Sequence, residues 1–85
     1  MVFVYVLQGD KKRYVGITQD LARRLFEHKA AHSRVRQMLG EFTLVLTEEF
    51  PDHASARKRE VLLKSGQGRQ WLDSNLPRSE PAKGG

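Results

Sequence analysis

Three polar side chains stand on helical faces where apolar ones are expected, and each asks for a chemical reason. Glu60 lies in PDHASARKREVLLKSG, with Ala56 at i−4 and Leu63 at i+3, so a helix puts all three on one stripe. A carboxylate on such a stripe is costly unless it is paired, hydrogen-bonded or bound to a cation. Arg57 and Lys64, at i−3 and i+4, can pair with it outward as an ordinary surface arrangement. Arg24 and His28 raise the same question in DLARRLFEH. They are four apart and follow Leu21 on the side nearest the core-facing leucines. Arg23 has Glu27 at i+4, an ordinary exposed pair, whereas Arg24 is half-tucked and can pack its stem while its head snorkels. Just before this helix, RYVGIT ends an apolar run with Tyr14 and Gly16. The junction is either a strand turning into a surface helix or half of a reactive site.

Two other patterns are set aside. His28 and His32 have helical i, i+4 spacing, but no Glu follows the first and no third ligand is evident, so a solvated face explains them. KSGQGR resembles a phosphate loop in composition, yet it follows a helix where such a loop follows a strand. Gly66 is read there as a helix stop.

The elements that must position these groups follow from periodicity. In residues 2–7, Phe3, Tyr5 and Leu7 share one face and Val2, Val4 and Val6 the other. Two apolar faces predict a central strand covered on both sides. QGDKK is a polar turn, and RYVGIT the return strand of a hairpin. Thr18 or Asp20 caps the helix that follows. SRVRQMLGE is a basic loop or a short helix ending near Gly40. EFTLVLTEEF alternates Phe42, Leu44 and Leu46 against Thr43, Val45 and Thr47, which predicts a third strand. Asp52 caps the glutamate helix, and QGRQWLDSNL forms a last helix docking Trp71, Leu72 and Leu76 on the core. The order is β-β-α-β-α-α. This is an α+β fold, a three-stranded, largely antiparallel sheet flanked by helices. Residues 1–76 form the domain, and residues 77–85 are expected to be a disordered tail.

Composition narrows the function class. The 85 residues make one small domain without cysteine, so neither a disulfide framework nor a thiolate zinc site is available. No apolar run is long enough to span a membrane, and the N-terminus lacks the basic region and cleavage site of a signal peptide. A cytoplasmic location is the expectation. Fifteen Lys and Arg against ten Asp and Glu give a net charge of +5, which suits a polyanionic partner such as nucleic acid.

Taken in order, Tyr5 in FVY, then YVG at 14–16, then Arg24 and His28 ten and fourteen residues past Tyr14, then Glu60 on a late helix, resemble the GIY-YIG nuclease family. The resemblance runs from residue 2 to about residue 76. The first motif departs from the pattern, keeping its tyrosine without the Gly and Ile. The resemblance implies a metal-dependent endonuclease acting on DNA, in repair, recombination or defence against foreign DNA. It implies one Mg²⁺ or Mn²⁺ held by Glu60 as sole protein ligand, a coordination habit that suits Mg²⁺. Arg24 would clamp the phosphate, and Tyr14 would be the general base, helped by Tyr5. A phenol is a weak base at neutral pH unless positive charge favours its phenolate. His28 would bond the tyrosine or position water, and Gly16 would let backbone approach the phosphate. His32 is the candidate for a further polar position and Asn75 for a late asparagine. Arg23, Lys29, Arg34 and Arg36 would contact phosphates in sequence-tolerant binding of DNA, with a branched repair intermediate, invading DNA and damaged DNA all open as substrates. A homodimer or a partner protein is the expected means of cutting both strands. The alternatives are a non-catalytic nucleic-acid-binding module on the same fold, and a protein-interaction scaffold.

Overall fold

The structure is a computed structural model and describes residues 1–76. The tail expected at 77–85 lies outside the described residues. Seven elements follow in order: β1 (Val2–Gln8), β2 (Arg13–Thr18), α1 (Leu21–Lys29), α2 (Arg34–Leu39), β3 (Thr43–Phe50), α3 (His53–Lys64) and α4 (Gly66–Asn75). The sheet has the order β2-β1-β3 with both pairings antiparallel, so β1 is the central strand.

Both faces of β1 are covered, as its two apolar faces require. Val2, Val4 and Val6 pack with Val15, Ala56, Leu63 and Leu72 beneath α3 and α4. Tyr5 and Leu7 point the other way, into a second cluster with Val35 and Leu39 of α2 and with Tyr14, Leu21 and Leu25 at its margin. The helices therefore lie on both sides of the sheet.

β3 departs from strict alternation. The register jumps between Val6 and Leu7, which pair with Leu46 and Leu44, so Val45 is an extra residue in a bulge. Val45 and Leu46 consequently both pack on the α3–α4 side, Phe42 packs on the other side, and Leu44 is exposed. One inserted residue inverts the face of everything beyond it.

The helix starts are set by side-chain caps. Asp20 accepts from the Arg23 amide, with Thr18 Oγ1 accepting from the Asp20 amide behind it, and Asp52 accepts from the Ser55 amide. The ambiguous SRVRQMLGE is a helix, α2, capped by Ser33 and ended at Gly40 with φ of 71°. Gly66 is not a left-handed helix stop. Ser65 ends α3 and caps α4, and Gly66 is already the first residue of α4. A Cβ on Gly68 would fall on the Leu62 carbonyl oxygen, so only glycine lets α4 fold back this tightly on α3. Leu72 is buried and Leu76 packs beside it, but Trp71 stays on the surface. Its ring carries the Arg59 guanidinium 5.0 Å above it. Arg59 in turn donates twice to Glu48 of β3, at 2.7 and 3.0 Å, tying α3 to the sheet one residue before Glu60.

Candidate active site

The site forms where α1 and α3 meet the β2 edge of the sheet. Tyr5 faces Gly16 across the β1–β2 pairing, and its ring crosses over the glycine. A Cβ at position 16 would lie 2.6 Å from both Cζ and the hydroxyl oxygen of Tyr5, and 2.9 Å from Cε2 of Tyr14. The space Gly16 leaves open is thus filled by the two tyrosines and not left for a phosphate. Glycine at this position admits the Tyr5 ring.

Tyr5 is fully buried at 1% exposure, and its hydroxyl shares a 2.7 Å hydrogen bond with Nε2 of His28, itself 7% exposed. Three rings interlock here. Their centroids are 6.1 Å apart for Tyr5 and Tyr14, 5.9 Å for Tyr5 and His28, and 5.3 Å for Tyr14 and His28, the last pair edge-on. Burial, joined by the neighbouring Tyr14 and the Glu60 carboxylate, holds the Tyr5 phenol protonated well above the usual tyrosine range, against the opposing pull of Arg24. Burial and the Arg24 charge push His28 below its ordinary 6.5, only partly offset by Glu27. Both members of the bond are therefore neutral at pH 7.

Arg24 projects from the α1 face next to His28, with its side chain 43% exposed and a loose 3.7 Å contact to Glu27. Glu60 approaches from α3 with its side chain only 13% exposed. Its carboxylate is held by Arg57 at 3.7 Å and Lys64 at 3.0 Å. The pairing expected of a plain surface glutamate is present. The glutamate nonetheless sits half-buried and close enough to act on Tyr5. Tyr14 is half-buried and lines a groove of about 680 Å³ along the β2 edge.

The five expected catalytic residues, Tyr5, Tyr14, Arg24, His28 and Glu60, thus come together from four elements. The expected contact residues do not join them. Arg23 is exposed and pairs with Glu27 at 3.3 Å, and Arg36 donates to the Lys29 carbonyl at 3.3 Å. Arg34 is exposed at the start of α2. His32 is exposed in the turn after α1, which ends at Lys29, so the helical spacing with His28 is never realised. Asn75 spends its amide on the Trp71 carbonyl of its own helix at 2.8 Å. Sequence reasoning missed Lys11, Lys12 and Arg69, which line the groove beside Tyr14. Their signal was present in QGDKKR and KSGQGR, read as a turn and a helix stop.

No group of three or more His, Cys, Asp or Glu able to hold an ion exists among the described residues. What remains is a single half-buried carboxylate, Glu60, paired with Lys64, a residue that lines the groove. That suits an ion which keeps its waters and takes one protein carboxylate plus substrate oxygens.

The family model for the GIY-YIG catalytic domain matches residues 1–72. A UPF0213 protein of Yersinia pestis is 40% identical over 68 residues, covering 76% of this chain and 72% of that protein. A UPF0213 protein of Desulfotalea psychrophila is 38% identical over 65 residues, and the match spans 59% of its length. The solution NMR structure of a UPF0213 protein from Bacillus halodurans superposes with a TM-score of 0.54 at 34% identity, covering 87% of this chain and 84% of that one. The chain belongs to the GIY-YIG family, a nuclease-type family, with UPF0213 proteins as its relatives.

Proposed function

We propose that the chain is a metal-dependent endonuclease that hydrolyses DNA phosphodiester bonds. The observation that carries this reading is the convergence of Tyr14, Arg24 and Glu60 on one edge of the sheet, backed by the buried Tyr5–His28 bond. A module that only bound nucleic acid would gain nothing from a half-buried carboxylate, which repels phosphate.

Each residue has a distinct part. Tyr5 is sealed from solvent and keeps its proton, so it cannot meet a water molecule; with His28 it is a positioning pair that fixes the Tyr14 ring. Tyr14 has access to the groove and accepts the proton of the attacking water. Arg24, loosely held by Glu27, turns its guanidinium onto two oxygens of the scissile phosphate. Glu60, aimed by Lys64 and Arg57, would hold Mg²⁺ or Mn²⁺. When bound, the ion supplies positive charge at the phosphoryl and leaving oxygens.

The test is cleavage of supercoiled and branched DNA with Mg²⁺ or Mn²⁺, comparing the parent protein with Glu60→Gln and Tyr14→Phe. Metal-dependent cutting that falls about a hundredfold or more in each variant, with salt-sensitive binding retained, is the expected result. Absence of cutting by the parent, with binding intact in all three, would reassign the fold to a binding module.

A further inference from the structure

Both carboxylate oxygens of Glu60 are engaged by cations of its own helix. Arg57 Nε lies 3.7 Å from Oε1, and Lys64 Nζ donates to Oε2 at 3.0 Å. The three side chains are unequally fixed. Glu60 is 13% exposed, whereas Lys64 is 54% and Arg57 74% exposed. The carboxylate is seated in the protein, and its two cations reach it on long stems that stand in solvent. A competitor for Glu60 therefore moves a cation and leaves the carboxylate where it is. The two cations also differ in where they can go. Lys64, the last residue of α3, lines the groove beside Tyr14, and Arg57 does not.

We propose that Lys64 is a phosphate-binding residue with two stations. In the free protein it rests on Glu60; when it gives that carboxylate up to a divalent ion, it crosses to a DNA phosphate in the groove. The proposal rests on the nuclease reading, in which Glu60 holds the ion, and names the residue that has to yield. An ion on Glu60 and an ammonium 3.0 Å from one of its oxygens repel each other, and the solvent-borne ammonium is the one able to leave. It does not settle in the groove unaided. Lys11, Lys12, Arg13 and Arg69 line that groove against Asp10 and Asp73, and Arg13 already bonds Asp73 at 2.6 Å. An anion from outside must receive Lys64, and a phosphate beside Tyr14 is the one the reaction brings. The ion frees Lys64 for the phosphate, and the phosphate draws Lys64 off the ion's ligand, so each favours binding of the other. Lysine chemistry suits the exchange. A compact charge on a flexible stem changes partners readily, where a guanidinium fork is shaped to hold one.

The experiment has two readouts, neither of them cleavage. Mn²⁺ binding to the DNA-free protein is followed by electron paramagnetic resonance of the free ion, for the parent, Lys64→Met and Glu60→Gln, each first shown to have the parent's circular dichroism. An exposed ion pair shifts an equilibrium by up to about fivefold. Lys64→Met should therefore bind Mn²⁺ about fivefold more tightly than the parent, and Glu60→Gln should lose the binding. The place of Lys64 is followed by NMR of ¹³C-dimethylated lysines, which keep their charge, its signal being the one missing from Lys64→Arg. Mg²⁺ should move that signal toward its position in Glu60→Gln. A short duplex added to Mg²⁺-loaded Tyr14→Phe protein, a background that leaves the duplex uncut, should move it again. Mn²⁺ affinity in Lys64→Met no higher than in the parent overturns the exchange. So does a Lys64 signal that ignores Mg²⁺, or one that ignores the duplex once Mg²⁺ is bound. In each of these cases binding that still depends on Glu60 leaves the nuclease reading standing. No difference in Mn²⁺ binding between the parent and Glu60→Gln is the other failure: it removes Glu60 as the ligand, and the metal site of the nuclease reading falls together with the exchange.

Discussion

Replacing Gly16 by alanine puts one methyl group where Tyr5 already is. The new carbon would sit 2.6 Å from two Tyr5 atoms, against the 3.4 Å at which ordinary contact begins, so the ring must retreat by roughly 0.8 Å. Tyr5 has nowhere to go, being 1% exposed and fixed at its tip by His28. Overpacking of this kind costs about 1–3 kcal/mol. Losing the Tyr5–His28 bond while both groups stay buried costs about 1–3 kcal/mol more. A loss of about 2–6 kcal/mol is a large share of the roughly 4–13 kcal/mol a domain this size possesses. In urea unfolding followed by circular dichroism, Gly16→Ala is expected to lower the midpoint by more than about 1 M. Adding Tyr5→Phe should restore part of the loss, since the hydroxyl oxygen is one of the three atoms the methyl meets. Gly66→Ala is the control. Nothing lies within 4 Å of its would-be Cβ and its backbone is not left-handed, so a gain of about 0.4–1 kcal/mol is expected. A Gly16→Ala protein within about 0.5 kcal/mol of the parent would refute the account of how the rings are seated.

Two predictions concern pH. His28 has a folded pKa below its unfolded value of 6.5, so the unfolded chain binds the extra proton as pH falls. Its contribution to stability is complete above about pH 6.5 and is lost as pH drops through the folded pKa. The drop in urea midpoint between pH 7.5 and 5 should be smaller in His28→Gln than in the parent, and an equal drop would show that His28 is not held neutral. Tyr5 has the opposite sign: its folded pKa lies above the unfolded 10.0, so its contribution is present below pH 10 and is lost as pH rises through the folded value. With only two tyrosines in the chain, the difference in absorbance at 295 nm between parent and Tyr5→Phe isolates its ionisation. That ionisation should coincide with alkaline unfolding, and titration near pH 10 in the folded protein would contradict the burial argument.

Much of the scaffold was legible because each signal was local. The doubly apolar β1 announced a central strand, and Asp20 and Asp52 announced helix starts. The i±3 and i±4 neighbours of Arg24 and Glu60 raised the question of an inward face, and only the ordered set of residues answered it. What escaped were effects that depend on three dimensions. The Val45 bulge leaves no mark on an alternating sequence, yet it moves Leu44 to the surface. Trp71 reads as a core residue by composition, but the adjacent Leu72 takes the inward position on α4 and Arg59 covers the indole instead. The six residues of α2 are too few for a periodic pattern to declare itself. The purpose of Gly16 needed the crossing Tyr5 ring. Lys11, Lys12 and Arg69 share a groove only because the hairpin and α4 end on the same side of the sheet.

The single residue joining α3 to α4 acts as a mechanical elbow. Ser65 ends one helix and begins the next, with its hydroxyl accepting from the Gly68 amide and donating to the Leu62 carbonyl at 2.5 Å. Such a joint has no slack. α3 cannot turn about its own axis or slide along it without swinging α4 and levering Leu72 out of the core. The angular setting of Glu60 is therefore clamped from beyond its own helix, by a lever arm whose far end is the described C-terminal helix. Damage at Leu72, twelve residues beyond Glu60, would be transmitted to the carboxylate as a rotation, and under the proposed nuclease function cleavage would register it before the fold was lost.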